Sequence, residues 1–96
     1  MSVAFEWDSA KNISNRHKHG ITFEEAQTVF YDQNARILPD PDHSENEERV
    51  ILLGLSLKLR IVAVCHCYRS SESIIRIISA RRASKAERLK YEELLP

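Results

Sequence analysis

Three runs of apolar residues rich in isoleucine, valine and leucine follow one another in the second half of the chain. They read RVILLGLS, LRIVAVCHCY and SIIRIISAR, and short polar breaks at 57–58 and 69–72 separate them. Runs of this length with such short breaks are typical of consecutive antiparallel strands. The second half of the chain therefore predicts a three-stranded meander.

Helical patterns flank this predicted sheet. The stretch WDSAKNISNRHKHG begins with Asp8, which can cap a helix, and ends on Gly20, which can adopt the left-handed conformation that closes one. ITFEEAQTVFYD follows with a capping box of Thr22 and Glu25, and ASKAERLKYEELL repeats the box near the end of the chain. The side chains expected to face the core are Ala10, Ile13 and His17 in the first helix, Phe23, Ala26, Val29 and Phe30 in the second, and Ala86, Leu89 and Leu94 in the third.

The order of elements is helix, helix, strands, helix, which predicts an α+β fold. Between the second helix and the strands, NARILPDPDHSENEER reads as an acidic surface loop with a possible short strand at 35–38. A chain of 96 residues is expected to form a single domain, 1–96. It has no apolar run long enough for a membrane span and no secretory signal, so we expect it in the cytoplasm.

The net charge is zero, but the charged residues are distributed unevenly between the two halves of the chain. Residues 1–48 carry 4 basic and 10 acidic side chains, whereas residues 49–96 carry 10 basic and 4 acidic ones. A basic second half favours an anionic partner, although a mixed solvated surface would give the same count.

Metal and nucleophile chemistry find little support in the sequence. His17 and His19 lie two apart on a predicted helix and point in different directions, so they cannot chelate one ion. Cys65 and Cys67 could offer two thiolates, but a zinc site needs four ligands and no second close pair exists. Neither a serine elbow nor a phosphate-binding glycine loop can be built from two glycines. We expect no metal and no cofactor.

The arginines are the best candidates for a functional site. Arg76 interrupts an apolar row, so it either reaches a ligand across an open sheet face or pairs with a carboxylate under a helix. Arg81 and Arg82 stand just before the last predicted helix, where guanidinium and helix N–H groups could bind a phosphate together. Strict alternation in the third strand places Ile74, Arg76, Ile78 and Ala80 on one face, and Ile75, Ile77 and Ser79 on the other.

Cleavage of RNA without a metal requires three functions. A base must take the proton of the 2′-hydroxyl, cations must stabilise the phosphorane, and an acid must protonate the leaving oxygen. Arginine performs only the second of these well. Glu48, His43 or His19 could perform the others, and each could equally be an ordinary solvated side chain.

Three segments together resemble the BrnT family of toxins from bacterial type II toxin–antitoxin modules. They read FEWDSAKNISNRHKHGITFEEA, DPDHSENEER and IRIISARRASKAERLKYEE, and the resemblance runs from Phe5 to Glu93. It implies a RelE-like fold, a ribonuclease activity that blocks translation, and neutralisation by a ribbon-helix-helix antitoxin of the BrnA type. It also implies that the complex of toxin and antitoxin represses its own promoter, so that DNA is bound only through the antitoxin.

The resemblance also implies an active surface on this chain. Arg81 and Arg76 would hold the scissile phosphate, and Glu48 or His19 would transfer protons. Lys18 would bind the RNA backbone. Arg82 and His43 are further RNA-binding candidates that come from their residue types and not from the resemblance. A rival interpretation is a binding module of the same fold that has no catalytic activity and only assists its antitoxin in repression.

Overall fold

The computed structural model describes residues 3–39, 48–69 and 73–96. The described elements confirm the predicted α+β class, with two helices before the meander and one after it. In chain order they are β1 (Ala4–Glu6), α1 (Ser9–His19), α2 (Phe23–Thr28), a 3-10 turn (Val29–Tyr31), β2 (Arg36–Pro39), β3 (Val50–Leu55), β4 (Ile61–Arg69), β5 (Ile74–Arg82) and α3 (Lys85–Glu93).

The sheet is larger than the predicted meander. Its strand order is β1-β5-β4-β3-β2, and the three central strands are the antiparallel meander that the apolar runs predict. The possible strand at 35–38 is present as β2, antiparallel to β3. The strand β1, which pairs parallel with β5, was not predicted. Its three residues are too few to show an alternating pattern. Because β1 is parallel to β5 and the other pairs are antiparallel, the sheet is mixed.

A bulge in the centre of the sheet overturns one prediction about β5. Strict alternation predicts Arg76 and Ala80 on one face. The register between β4 and β5 instead shifts by one residue midway, and such a shift moves all later side chains to the opposite face. Arg76 pairs with Cys67 and Arg81 pairs with Ala63, and these two β4 residues lie on the same face. The bulge therefore brings Arg76 and Arg81 onto one side of the sheet.

The helices cover the two faces of the sheet unequally. On one face α1 and α2 enclose the main core, in which Ile21, Phe23 and Val29 are fully buried. On the other face α3 covers a smaller cluster around Leu53 and Tyr91. Since α3 has only nine residues, part of this second face stays exposed to solvent.

The ends of α1 are as predicted, but its buried face is not. The Lys11 N–H donates to Asp8 Oδ1 over 3.0 Å, and Gly20 lies at φ 72°. The expected stripe of Ala10, Ile13 and His17 is wrong, because all three side chains are exposed and Ile13 is 62% exposed.

Asn15 is the residue of α1 that faces the sheet. Its Nδ2 donates to the carbonyl oxygens of Ile21 and Ala80 over 2.8 and 2.7 Å, and its Oδ1 accepts from the Ala80 N–H over 3.1 Å. The first helix is thus attached to β5 by a buried amide, which a search for apolar periodicity cannot find.

The start of α2 forms only half of the predicted capping box. The Glu25 N–H donates to Thr22 Oγ1 over 3.1 Å, but the Glu25 carboxylate binds Arg60 and Ser56 instead of the Thr22 backbone. Burial alone would raise the pKa of Glu25, and the hydrogen bonds from Arg60 and Ser56 outweigh it and lower that pKa. The predicted apolar stripe of the helix is confirmed, since Phe23, Ala26 and Val29 are fully buried and Phe30 packs against them.

The predicted inward face of α3 is wrong. Leu89 and Leu94 are each 55% exposed and Ala86 is exposed, whereas Tyr91 is only 5% exposed. The Tyr91 hydroxyl donates to Asp32 Oδ2 over 2.6 Å. One tyrosine with a polar end therefore anchors the helix, which the leucine spacing does not reveal.

Candidate functional site

The uncovered part of the sheet face beside α3 is the candidate functional surface, and we call it the open face. It carries Cys65 of β4 and Arg76, Ser79 and Arg81 of β5, and Ser79 is exposed. The Cα atoms of Arg76 and Arg81 are roughly 15 Å apart at about 3.3 Å per residue. Two arginines whose Cα atoms are this far apart are better placed for different phosphates of one strand than for a single phosphate.

Arg81 is held by a carboxylate of α3. Its Nη1 donates to Glu87 Oε1 over 2.7 Å and its Nη2 donates to Glu87 Oε2 over 3.0 Å. The hydrogen bond from Arg81 lowers the pKa of Glu87 to about 2, and the Ser84 N–H adds to the effect. At the start of α3, where the sequence predicts a phosphate among guanidinium and helix N–H groups, the structure has the Glu87 carboxylate, which accepts from Arg81 and from the Ser84 N–H.

Arg76 was predicted either to reach a ligand across an open face or to pair with a carboxylate under a helix. It pairs with a carboxylate, but no described helix covers the pair. Its Nη1 donates to Glu6 Oε2 of the adjacent strand β1 over 2.9 Å. The Arg76 side chain is 32% exposed and the Glu6 side chain 37% exposed. Arg69 approaches the same carboxylate oxygen at 3.8 Å. This end of the open face is therefore a small ionic cluster that a polyanion can reach.

The other basic candidates lie near the Arg81 end of the sheet but off the open face. Arg82 is exposed and pairs with Val62, so it points to the face covered by α1. Lys18 and His19 are exposed in the last turn of α1. This turn lies near the start of β4, because Arg60 Nη2 donates to the Gly20 carbonyl over 3.1 Å.

Glu48 lies away from Arg81. It is exposed, and it precedes Val50 of β3, whose partner is His66 near the far end of β4. Glu48 is thus at the Arg76 end of the sheet. His43 lies outside the described residues. The described site residues consequently form two groups: Glu48 lies at the end of Arg76, and Lys18 and His19 lie near the end of Arg81 but off the open face.

Two residues of this surface were absent from the predicted site. Glu87 was recognised only as a helix cap, and Ser79 was placed on the wrong face because the bulge was not foreseen. The S-x-x-E spacing of Ser84 and Glu87 predicts that the Glu87 carboxylate caps the helix. Nothing in that pattern indicates that Arg81, three residues before Ser84, binds the same carboxylate.

A shallow depression of about 310 Å³ adjoins the Arg81–Glu87 pair. Leu38 and Pro39 of β2 form one wall, and Ala86, Glu87 and Lys90 of α3 form the other. Glu87 therefore belongs both to this depression and to the ion pair with Arg81.

His66 belongs to the interior and not to this surface. It is fully buried, its Nδ1 lies 3.1 Å from the Val64 carbonyl oxygen, and its ring meets those of Phe30 and Tyr68 edge to face. Burial lowers its pKa more than the Val64 carbonyl raises it, which favours the neutral ring. Within 3–39, 48–69 and 73–96, no three histidine, cysteine, aspartate or glutamate residues cluster closely enough to hold a metal ion.

Comparison with known families identifies the kind of protein to which this surface belongs. Residues 7–87 match the family model described as the ribonuclease toxin BrnT of a type II toxin–antitoxin system. The chain belongs to the BrnT family. Membership in a type II toxin–antitoxin family implies an antitoxin partner.

A solved structure agrees with this BrnT assignment. The chain is similar to the Brucella abortus ribonuclease toxin BrnT, with 27% identity and a TM-score of 0.66, over 88% of this chain and 100% of that one. A search of curated proteins finds no match. In the part of this BrnT-family chain that the structure describes, no helix is long and apolar enough to cross a membrane.

Proposed function

We propose that this BrnT-family chain is an endoribonuclease that cleaves mRNA without a metal ion and so inhibits translation. The observation that carries the proposal is the position of Arg81, whose side chain is 42% exposed on the open face and whose partner Glu87 also lines a depression. Substrate RNA would lie along this face in the cytoplasm, and residues 1–96 would form a single toxin domain.

The open face supplies the electrostatic part of the reaction. In metal-free cleavage the 2′-hydroxyl attacks the adjacent phosphorus, and the charge of the phosphorane must be stabilised as it develops. Arg81 is assigned this role, and Arg76 is assigned to a neighbouring phosphate. The proton transfers are assigned to Glu48 or His19, while Lys18, Arg82 and His43 bind the RNA backbone.

The chemistry of the RNA ends tests the reaction type. Purified toxin is incubated with a labelled single-stranded RNA in excess EDTA, and the new ends are identified. Attack by the 2′-hydroxyl leaves a 2′,3′-cyclic phosphate and a 5′-hydroxyl, which is the expected result. Cleavage that stops in EDTA and returns on addition of magnesium, or products with 5′-phosphates, would contradict the proposal.

A second candidate function follows from the ion pairs on the open face. Arg76 and Arg81 are both paired with carboxylates of the same chain, Glu6 and Glu87. Such pairing also suits a surface that only binds a partner, as in a catalytically inactive toxin that serves its antitoxin in repression. Intact RNA after incubation with folded toxin, together with normal antitoxin binding, would favour this second function.

We further propose that the antitoxin is a ribbon-helix-helix protein and that DNA is bound only by the complex. An acidic segment of the antitoxin would dock on the basic second half of the toxin and cover the open face. Association should then slow as the salt concentration rises, and the complex should not cut RNA. Salt-independent association, or a complex that still cleaves, would argue against this mode of inhibition.

A further inference from the structure

Glu87 is held more tightly than an ordinary surface carboxylate. Besides its two hydrogen bonds from Arg81, its Oε1 accepts from the Ser84 N–H over 2.8 Å. Its own N–H donates to Ser84 Oγ over 3.2 Å, which completes the capping box of α3. The carboxylate therefore has a position fixed by the helix end, whatever Arg81 does.

The exposures of the two side chains show which partner faces the solvent. The Glu87 side chain is only 19% exposed, whereas the Arg81 side chain is 42% exposed. Glu87 is thus the more buried partner of the pair and Arg81 the more exposed one. A planar guanidinium that donates twice to one carboxylate has both its distance and its plane set by that carboxylate.

We propose that Glu87 is a positioning residue, which holds the guanidinium plane of Arg81 toward the open face so that it meets the RNA phosphate already oriented. This inference rests on the proposed function, in which Arg81 stabilises the phosphorane. Its physical basis is that an electrostatic group accelerates a reaction most when it needs no reorientation as charge develops.

Two other roles for Glu87 fit the geometry less well. A general base needs a pKa near the working pH, and the pKa of Glu87 is about 2, so the carboxylate is a weak base. A competitor would release Arg81 when phosphate arrives, and both hydrogen bonds between Arg81 and Glu87 would then have to break. Glu87 is therefore a fixed support for Arg81 and stays in place when RNA binds.

The variant Glu87→Gln separates positioning from helix capping. Glutamine can still complete a capping box, but it offers Arg81 neither a charge nor a second acceptor oxygen. We expect kcat for RNA cleavage to fall about tenfold or more, because small misplacements at a reacting centre are costly. KM should stay the same or fall, since a negative charge near the RNA has been removed. The matched control is Glu92→Gln, an exposed glutamate of the same helix, which should leave kcat and KM unchanged.

A second arm asks whether Glu87 acts through Arg81. In an Arg81→Lys background the bidentate contact is already lost, so adding Glu87→Gln should change kcat less than twofold. A tenfold loss in both backgrounds would overturn the inference. So would a Glu87→Gln variant with normal kcat, or with a raised kcat/KM, which would identify Glu87 as a competitor of phosphate.

A third arm is independent of catalysis and of the proposed function. The order parameter of the Arg81 Nε–H bond, measured by NMR, should be high in the wild type and low in Glu87→Gln. An equally mobile Arg81 in both proteins would overturn the inference.

If the glutamine variant melts below the assay temperature, Glu87→Asp replaces it. This variant keeps the charge one methylene further back and should give an intermediate kcat, whereas a wild-type kcat would again overturn the inference. Normal cleavage by Arg81→Ala would instead refute the proposed function.

Discussion

Gly20 ends α1 in a backbone conformation that a residue with a side chain adopts only at a cost. It lies at φ 72°, and a Cβ atom added there would have no neighbour within 4 Å. The cost of Gly20→Val is therefore conformational and not steric, and we expect about 1 kcal/mol or more of lost stability. Thermal melts of Gly20→Val and Gly20→Asn measure it. Asparagine tolerates this conformation and should cost less, and equal melting temperatures for all three proteins would show that the glycine is not needed.

Asn15 should be more sensitive than any apolar residue of α1. Truncation in Asn15→Ala leaves the N–H and C=O groups of Ala80 and the carbonyl of Ile21 without their side-chain partner in a buried place. Each unsatisfied buried group is costly, so we expect a loss of about 3 kcal/mol. Chemical denaturation measures the change, and Ser14→Ala on the exposed side of the helix is the control. A loss no larger than that of the control would mean that Asn15 does not attach α1 to β5.

At the scale of elements, α3 depends on one buried tyrosine. The Tyr91 hydroxyl donates to Asp32 Oδ2, which also accepts from the Leu55 N–H over 2.8 Å. Burial and the neighbouring Asp32 raise the pKa of Tyr91 to about 12, so the hydroxyl stays protonated at any working pH. Tyr91→Phe keeps the ring and removes this hydrogen bond.

We expect Tyr91→Phe to lower the stability by about 1.5 kcal/mol, because a hydrogen bond to a charged acceptor is lost. Hydrogen exchange of the α3 amides should increase more than that of β4. Unchanged exchange in α3 would show that the cluster around Leu53 holds the helix without the tyrosine hydroxyl.

The elements most accessible to prediction were those with local signals. Asp8 and Gly20 define both ends of α1, and the capping box of Ser84 and Glu87 defines the start of α3. The apolar runs also predict the central strands from local signals, because the short breaks between the runs favour pairing of consecutive strands. The buried faces of α1 and α3 were missed, because a polar contact decides each of them, and such contacts depend on partners far along the chain.

The candidate site was predictable in its residue types and not in its arrangement. Arg76 and Arg81 were identified as charged residues in and after an apolar strand. Their common face depends on the bulge opposite β4, which has no signature in the β5 sequence. The pairing of Arg81 with Glu87 likewise joins the strand β5 to the cap of α3. The sequence around the strand and the sequence around the cap each predict their own element, but neither predicts the contact between them.

At the scale of the whole molecule, a buried histidine links stability to pH. Burial lowers the pKa of His66 from its ordinary value of 6.5, so the folded chain binds this proton less readily than the unfolded chain. The stability from the neutral ring is fully present above pH 6.5 and is lost as the pH falls below it. The loss reaches at most about 1.4 kcal/mol per pH unit from this one residue.

The comparison of wild type with His66→Leu isolates this effect. Denaturation between pH 7.5 and 5, a range chosen around the ordinary histidine pKa of about 6.5, should show a shallower decline of stability for the leucine variant. Parallel curves would mean that His66 takes up its proton equally well in the folded and unfolded chains.

The cleavage rate of Arg81→Ala tests the proposal that RNA is cleaved on the open face around Arg81. Arg88→Ala, which removes the same charge from an exposed position on α3, is the control, and melting curves confirm that both variants are folded. Loss of a group that stabilises developing charge should slow cleavage by about 10²- to 10³-fold, while the control should stay near the wild-type rate. Arg81→Lys should recover only part of the rate, since an ammonium group lacks the bidentate geometry. A folded Arg81→Ala protein that cleaves RNA as fast as the Arg88→Ala control would contradict the proposal.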